Sequence, residues 1–91
     1  MSTLYHIYLK PKPEVAENDI SKKLDLAIDW YKYGENCWIV KSTSEPDKWQ
    51  TRLKPLVDPA GTLFICKLDA TKRQGWMPKK FWDWLRENAK S

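Results

Sequence analysis

The sequence predicts one α+β domain: four antiparallel strands, two helices that cross between them, and a third helix at the C-terminal end. Three observations predict it. Apolar residues alternate with period two or run unbroken in four short segments bounded by Pro, Gly and Asn. Two intervening segments carry apolar residues at helical spacing. A third such segment, rich in tryptophan, follows the last strand. The 91 residues suit one domain, which spans 1–91. A chain this short buries a modest fraction of its surface, and a few of its six tryptophans, four tyrosines and two phenylalanines can furnish most of the core.

Thr3 to Lys10, TLYHIYLK, is the first strand, closed by Pro11 and Pro13. Alternation puts Tyr5, Ile7 and Leu9 on one face and Leu4, His6, Tyr8 and Lys10 on the other. Asn18 or Asp19 can cap the first helix, whose apolar stripe is Ile20, Leu24, Ala27 and Ile28. The next stretch has two readings. Tyr31 continues the helical stripe and Gly34 can close a helix. Alternatively Trp30 to Tyr33 is a short strand, turning through Gly34-Glu35-Asn36 into the strand Cys37 to Thr43. The hairpin is preferred, because aromatics suit a strand and Gly/Asn a short turn. Ser44, with Asp47 three residues on, is the expected cap of the second helix, and Pro46 fits its first turn. Trp49, Leu53 and Leu56 form its stripe, and Pro55 should end or distort it near Lys54. Thr62 to Leu68 is nearly all apolar, as a central strand should be. Asp69 to Gly75 is a polar loop. Pro78 opens a helix over Lys79 to about Asn88, with Phe81, Trp82, Trp84 and Leu85 on a broad apolar side.

The order β-α-β-β-α-β plus a C-terminal helix is the ferredoxin-like plan, in which both crossing helices pack on one face of a four-stranded antiparallel sheet. Tyr5, Ile7, Leu9, Trp38, Val40, Phe64, Cys66 and Leu68 are then expected under those helices. The opposite face carries His6, Tyr8, Lys10, Ile39, Lys41, Leu63, Ile65 and Lys67. Such a mixture calls for cover, by a partner subunit or by the third helix. Ile39, Leu63 and Ile65 at its centre are the candidate interface of a homodimer that buries this face or its edge.

Composition narrows the function. The formal charge of +4 and pI near 9.1 permit binding to nucleic acid or another polyanion without requiring it. No apolar run is long enough for a membrane helix, and residues 1–10 lack the pattern of a signal peptide, so the expected compartment is the cytoplasm. Cys37 and Cys66 form neither a disulfide framework nor a metal motif, and are expected as small buried hydrophobes. The lone histidine, His6, lies in a strand and is expected as a structural residue, and no glycine-rich phosphate loop exists. No catalytic residues, metal, cofactor or small-molecule substrate are expected. The best binding feature is the loop Lys72-Arg73-Gln74-Gly75-Trp76 with Lys79 and Lys80 beyond it: cations track phosphates and an exposed ring stacks on a base. Tyr8, Lys10, Lys41 and Lys67, with His6, give the sheet face the aromatic-basic character of single-strand RNA binders.

The segments YHIYLK, WYKYGENCWIVKST, LFICKL and GWMPKKFWDWL together resemble the small bacterial SinR-like proteins. That group is similar in fold to VapD and to the small nucleases of CRISPR adaptation, which are ferredoxin-like homodimers. The resemblance implies a homodimeric bacterial module in defence or mobile-element biology. The nuclease relatives carry a metal-binding aspartate at the end of the first strand. Lys10 stands there in this chain and would repel a divalent cation, so the resemblance does not bring metal-dependent cleavage with it. The expected function is non-catalytic: protein-protein contacts together with nucleic-acid binding. A degenerate or metal-independent nuclease is the alternative.

Overall fold

The computed structural model describes residues 2–89. The elements are β1 (Thr3–Lys10), α1 (Glu17–Leu24), β2 (Asp29–Gly34), β3 (Cys37–Ser42), α2 (Pro46–Val57), β4 (Thr62–Lys67) and α3 (Lys79–Asn88). The strands form one antiparallel sheet in the order β2-β3-β1-β4. Trp30 to Tyr33 is strand, as the hairpin reading expects. Its two-residue turn, Glu35-Asn36, puts Asn36 at φ 62°, a left-handed conformation that asparagine tolerates better than most residues. The Asn36 carbonyl accepts a hydrogen bond from the Leu9 N–H (2.9 Å), which ties the turn to β1.

Helix boundaries depart from expectation at four places. The cap of α1 is Ala16; Asp19 lies one turn in and accepts the Ala16 N–H at 3.0 Å. The helix stops at Leu24, and Ile28, expected on its stripe, is exposed; its N–H instead reaches the Lys41 carbonyl at 2.8 Å. The cap of α2 is Glu45 and not Ser44. The Ser44 N–H turns back to Ser42 Oγ (3.0 Å), which also accepts the Trp49 indole N–H (2.9 Å). Pro55 does not end α2, because it falls in the last turn; the helix runs on to Val57 and the Asp58 N–H closes onto Lys54.

The chain builds three layers with two cores. Tyr5, Ile7, Leu9, Trp38 and Val40 meet Ile20, Leu24, Trp49, Leu53, Leu56 and Val57 of α1 and α2. On the other face α3 lays Phe81 and Leu85 over Leu4, Ile39 and Ala70, flanked by Tyr31, Tyr33, Trp82 and Trp84. The second face is therefore covered in part by the chain's own C-terminal helix. Gly61, where α2 returns to β4, sits so close to the end of β1 that an added Cβ would lie 2.3 Å from the Lys10 carbonyl oxygen. Any side chain there would force backbone apart, so glycine is required by proximity.

The assignment of faces on β4 is corrected. Leu9 pairs with Leu63, Ile7 with Ile65 and Tyr5 with Lys67, and residues directly opposite in a ladder share a face. Leu63 and Ile65 thus pack on the α1/α2 core. Phe64 and Cys66, expected there, point to the α3 side, where Phe64 is 60% exposed; Leu68 just past the strand packs with α3. β4 is also an edge strand and not a central one. Both cysteines are half-buried free thiols where full burial was expected. Among the described residues no helix is long and apolar enough to cross a membrane.

Candidate nucleic-acid interface

The functional candidates converge where the loop after β4 folds back over the α3 face. The Leu68 N–H donates to the Leu4 carbonyl (2.9 Å), one residue beyond β4, and the chain then leaves the sheet. Asp69 turns it: its Oδ1 accepts from the Thr71 N–H (3.0 Å) and hydroxyl (2.7 Å). Those bonds hold the Asp69 carboxyl below its ordinary pKa. Ala70 is buried against α3, and Arg73 Nη1 donates to its carbonyl at 3.1 Å. The loop is thereby anchored at its start, while residues 71–76 stay exposed.

Between this loop and the sheet lies a cleft of about 400 Å³. Its floor is His6 and Tyr33, joined by a 2.5 Å hydrogen bond between His6 Nε2 and the Tyr33 hydroxyl. Burial pushes the His6 imidazole below its ordinary pKa. Burial, then the neighbouring Cys37 and Cys66, push the Tyr33 phenol up. Both directions favour the neutral forms, so the floor is polar and uncharged near neutrality. Ile39, Met77 and Trp82 supply apolar wall, and Lys72, Arg73 and Trp76 stand at the rim. The Trp76 side chain is 99% exposed.

The predicted binding residues divide into groups. Lys72, Arg73 and Trp76 line the cleft together. Lys79 and Lys80 are exposed in the first turn of α3, outside the cleft lining. Lys79 is committed to Asp83, with Nζ 3.0 Å from Oδ2, and Arg86 grips the other oxygen of the same carboxylate at 2.6 Å. Lys41 and Lys67 border a second cleft of about 440 Å³ on the other side of the loop, which Arg73 also reaches. Tyr8 is half-buried between Cys37 and Phe64 in the ladder, and Lys10 is exposed at the end of β1 opposite Thr62. The single basic sheet face expected from alternation is therefore not formed: Lys67 registers with Tyr5 and Lys41 with Leu4, on opposite faces. The three candidate interface residues separate as well. Ile39 is 4% exposed beneath α3, whereas Leu63 and Ile65 belong to the other core.

The His6–Tyr33 pair was not anticipated. Its sequence signal was present, since Tyr31 and Tyr33 share one face of β2, but the partner lies 27 residues away. Among the described residues no three His, Cys, Asp or Glu side chains gather as a metal-binding group.

Fold and site together define a three-layer α+β domain with an aromatic-basic cleft beside its C-terminal helix. No protein-family model matches the chain, and neither a curated protein nor a solved structure is detectably similar to it.

Proposed function

We propose that the protein is a small non-catalytic module that binds single-stranded nucleic acid along the loop Lys72–Trp76, with an unpaired base entering the cleft over His6 and Tyr33. One observation carries this reading: a tryptophan with nearly all of its surface in water, beside two cations at the mouth of a cleft. An isolated exposed indole contributes nothing to the fold, whereas base–aromatic stacking is worth about 1–3 kcal/mol per base. The ferredoxin-like plan is part of the proposal, supported by the chain order and by a sheet whose central pair is β3 and β1. Kinship with the SinR-like group and a role in bacterial defence are proposals resting on the sequence resemblance.

A fluorescence titration with single-stranded and duplex oligonucleotides at two salt concentrations tests the reading. Single strands should bind more tightly, with a steep salt dependence. Replacing Lys72, Arg73 and Lys80 with glutamine should flatten the log–log slope by about 2, at roughly 0.7 per phosphate contact on a single strand. Lys79 is left out because it is ion-paired with Asp83. Trp76→Ala should weaken binding by about 1–3 kcal/mol and leave the melting temperature unchanged, because the ring packs on nothing. Undetectable binding at low salt overturns the proposal.

The nuclease alternative gains one observation, a neutral imidazole hydrogen-bonded at the bottom of the cleft, which is the protonation state a general base needs. Labelled RNA and DNA should remain intact with Mg²⁺, with Mn²⁺ and in chelator. Cleavage in chelator that disappears in His6→Ala would replace the binding reading with this one.

A further inference from the structure

The edges of the sheet differ. β2 is protected by the means edge strands ordinarily use: Asp29 and Lys32 along it, a register irregularity between Lys32 and Gly34, and Asp29 Oδ2 held by the Trp84 indole at 3.0 Å. β4 is less protected: its one charge, Lys67, stands at the strand's end, and its register has no irregularity. Among the described residues its only strand partner is β1, in an unbroken register over six residues. Leu63, Phe64, Ile65 and Cys66 follow one another without a charge or a proline, the composition of a central strand placed at an edge. Phe64 holds 60% of its surface in water.

We propose that this edge is a self-association site, at which a second copy of the chain adds its own β4 antiparallel to form an eight-stranded sheet. The occupant follows from complementarity. A two-fold axis normal to the sheet and centred on Phe64 sets Phe64 against Phe64 and Leu63 against Ile65 of the second copy. Lys67 then faces Gly61, so no like charges meet across the ladder, where directly opposed like charges destabilise. The same axis runs the two α2 helices antiparallel. Asp47 and Lys54, both at the groove of about 540 Å³ between α2 and β4, are then brought toward each other's opposite charge. An acidic or a basic peptide strand would satisfy only one of that pair. A short edge covers less than the roughly 800 Å² per partner of a stable interface, so the dimer dissociates on dilution. The inference goes beyond the nucleic-acid reading and does not depend on it.

The test is sedimentation velocity without nucleic acid, from low micromolar to several hundred micromolar protein, on wild type and Phe64→Lys. Circular dichroism checks that the exposed substitution leaves the fold intact. The wild type should pass from monomer to dimer with concentration, and Phe64→Lys should stay monomeric. On a Cys37→Ser, Cys66→Ser background, Phe64→Cys should form a disulfide-linked dimer on mild oxidation, and Glu35→Cys at the far hairpin should not. A wild type that is monomeric throughout overturns the proposal. So does a dimer that survives Phe64→Lys, which would place association elsewhere on the surface.

Discussion

Trp38→Ala should lose about 3–5 kcal/mol of stability, the usual cost of truncating a buried aromatic. Trp38 is 2% exposed and lies in the sheet between Ile7 on β1 and Lys32 on β2, its ring roofed by α1 and α2. Lys32 Nζ also sits 5.2 Å from the ring centroid, so the substitution removes a cation–π contact as well as the packing. Small domains have only about 5–15 kcal/mol in hand, so much of the population should be unfolded at physiological temperature. Equilibrium urea unfolding measures the effect. A midpoint near that of wild type would mean that the α1/α2 core does not depend on this ring.

Phe81→Ala should cost about 3 kcal/mol or more by the same logic, but in a different place. Phe81 is the hub of the second core, within 5.9 Å of both Tyr31 and Tyr33 and 5.2 Å of Trp82, ring centroid to ring centroid. This core is smaller than the first and is closed by one helix, so it can open on its own. Amide exchange should therefore speed up most in α3 and in the loop before it, while β1 and β3 keep more of their protection. The cleft loses part of its wall in the same event, so oligonucleotide binding should weaken together with α3 protection. Uniform acceleration across all strands would show that the two cores unfold as one unit.

Where the sequence carries alternation or punctuation, it could be read to within a residue or two. β1 and α3 announce themselves by pattern, Trp30–Tyr33 had two readings of which the preferred strand formed, and the sharing of Tyr5, Ile7 and Leu9 with Trp38 and Val40 followed from period two. TLFICKL carries no alternation, so the assignment of its faces had no periodic signal behind it, and the ladder to β1 inverts it. An unbroken apolar run also reads as central, which hid the exposed edge. Ile28 fell at helical spacing from Ile20, yet α1 ends at Leu24 and Ile28 enters the link to β2, where spacing no longer measures burial. The basic loop beside Trp76 was legible from composition alone. Its floor was not, because the His6–Tyr33 contact depends on which strands are neighbours and on where α3 comes to rest.

The six indoles occupy very unequal surroundings, from Trp49, which is fully buried, to Trp76, which stands in water. That inequality turns the chain's own emission into a local probe. A dissolved quencher reaches Trp76 far more readily than the rings inside the two cores, so the quenchable part of the signal reports mainly on the cleft mouth. With Lys72 and Arg73 alongside, iodide should outperform caesium there, and the advantage should shrink as added salt screens the pair.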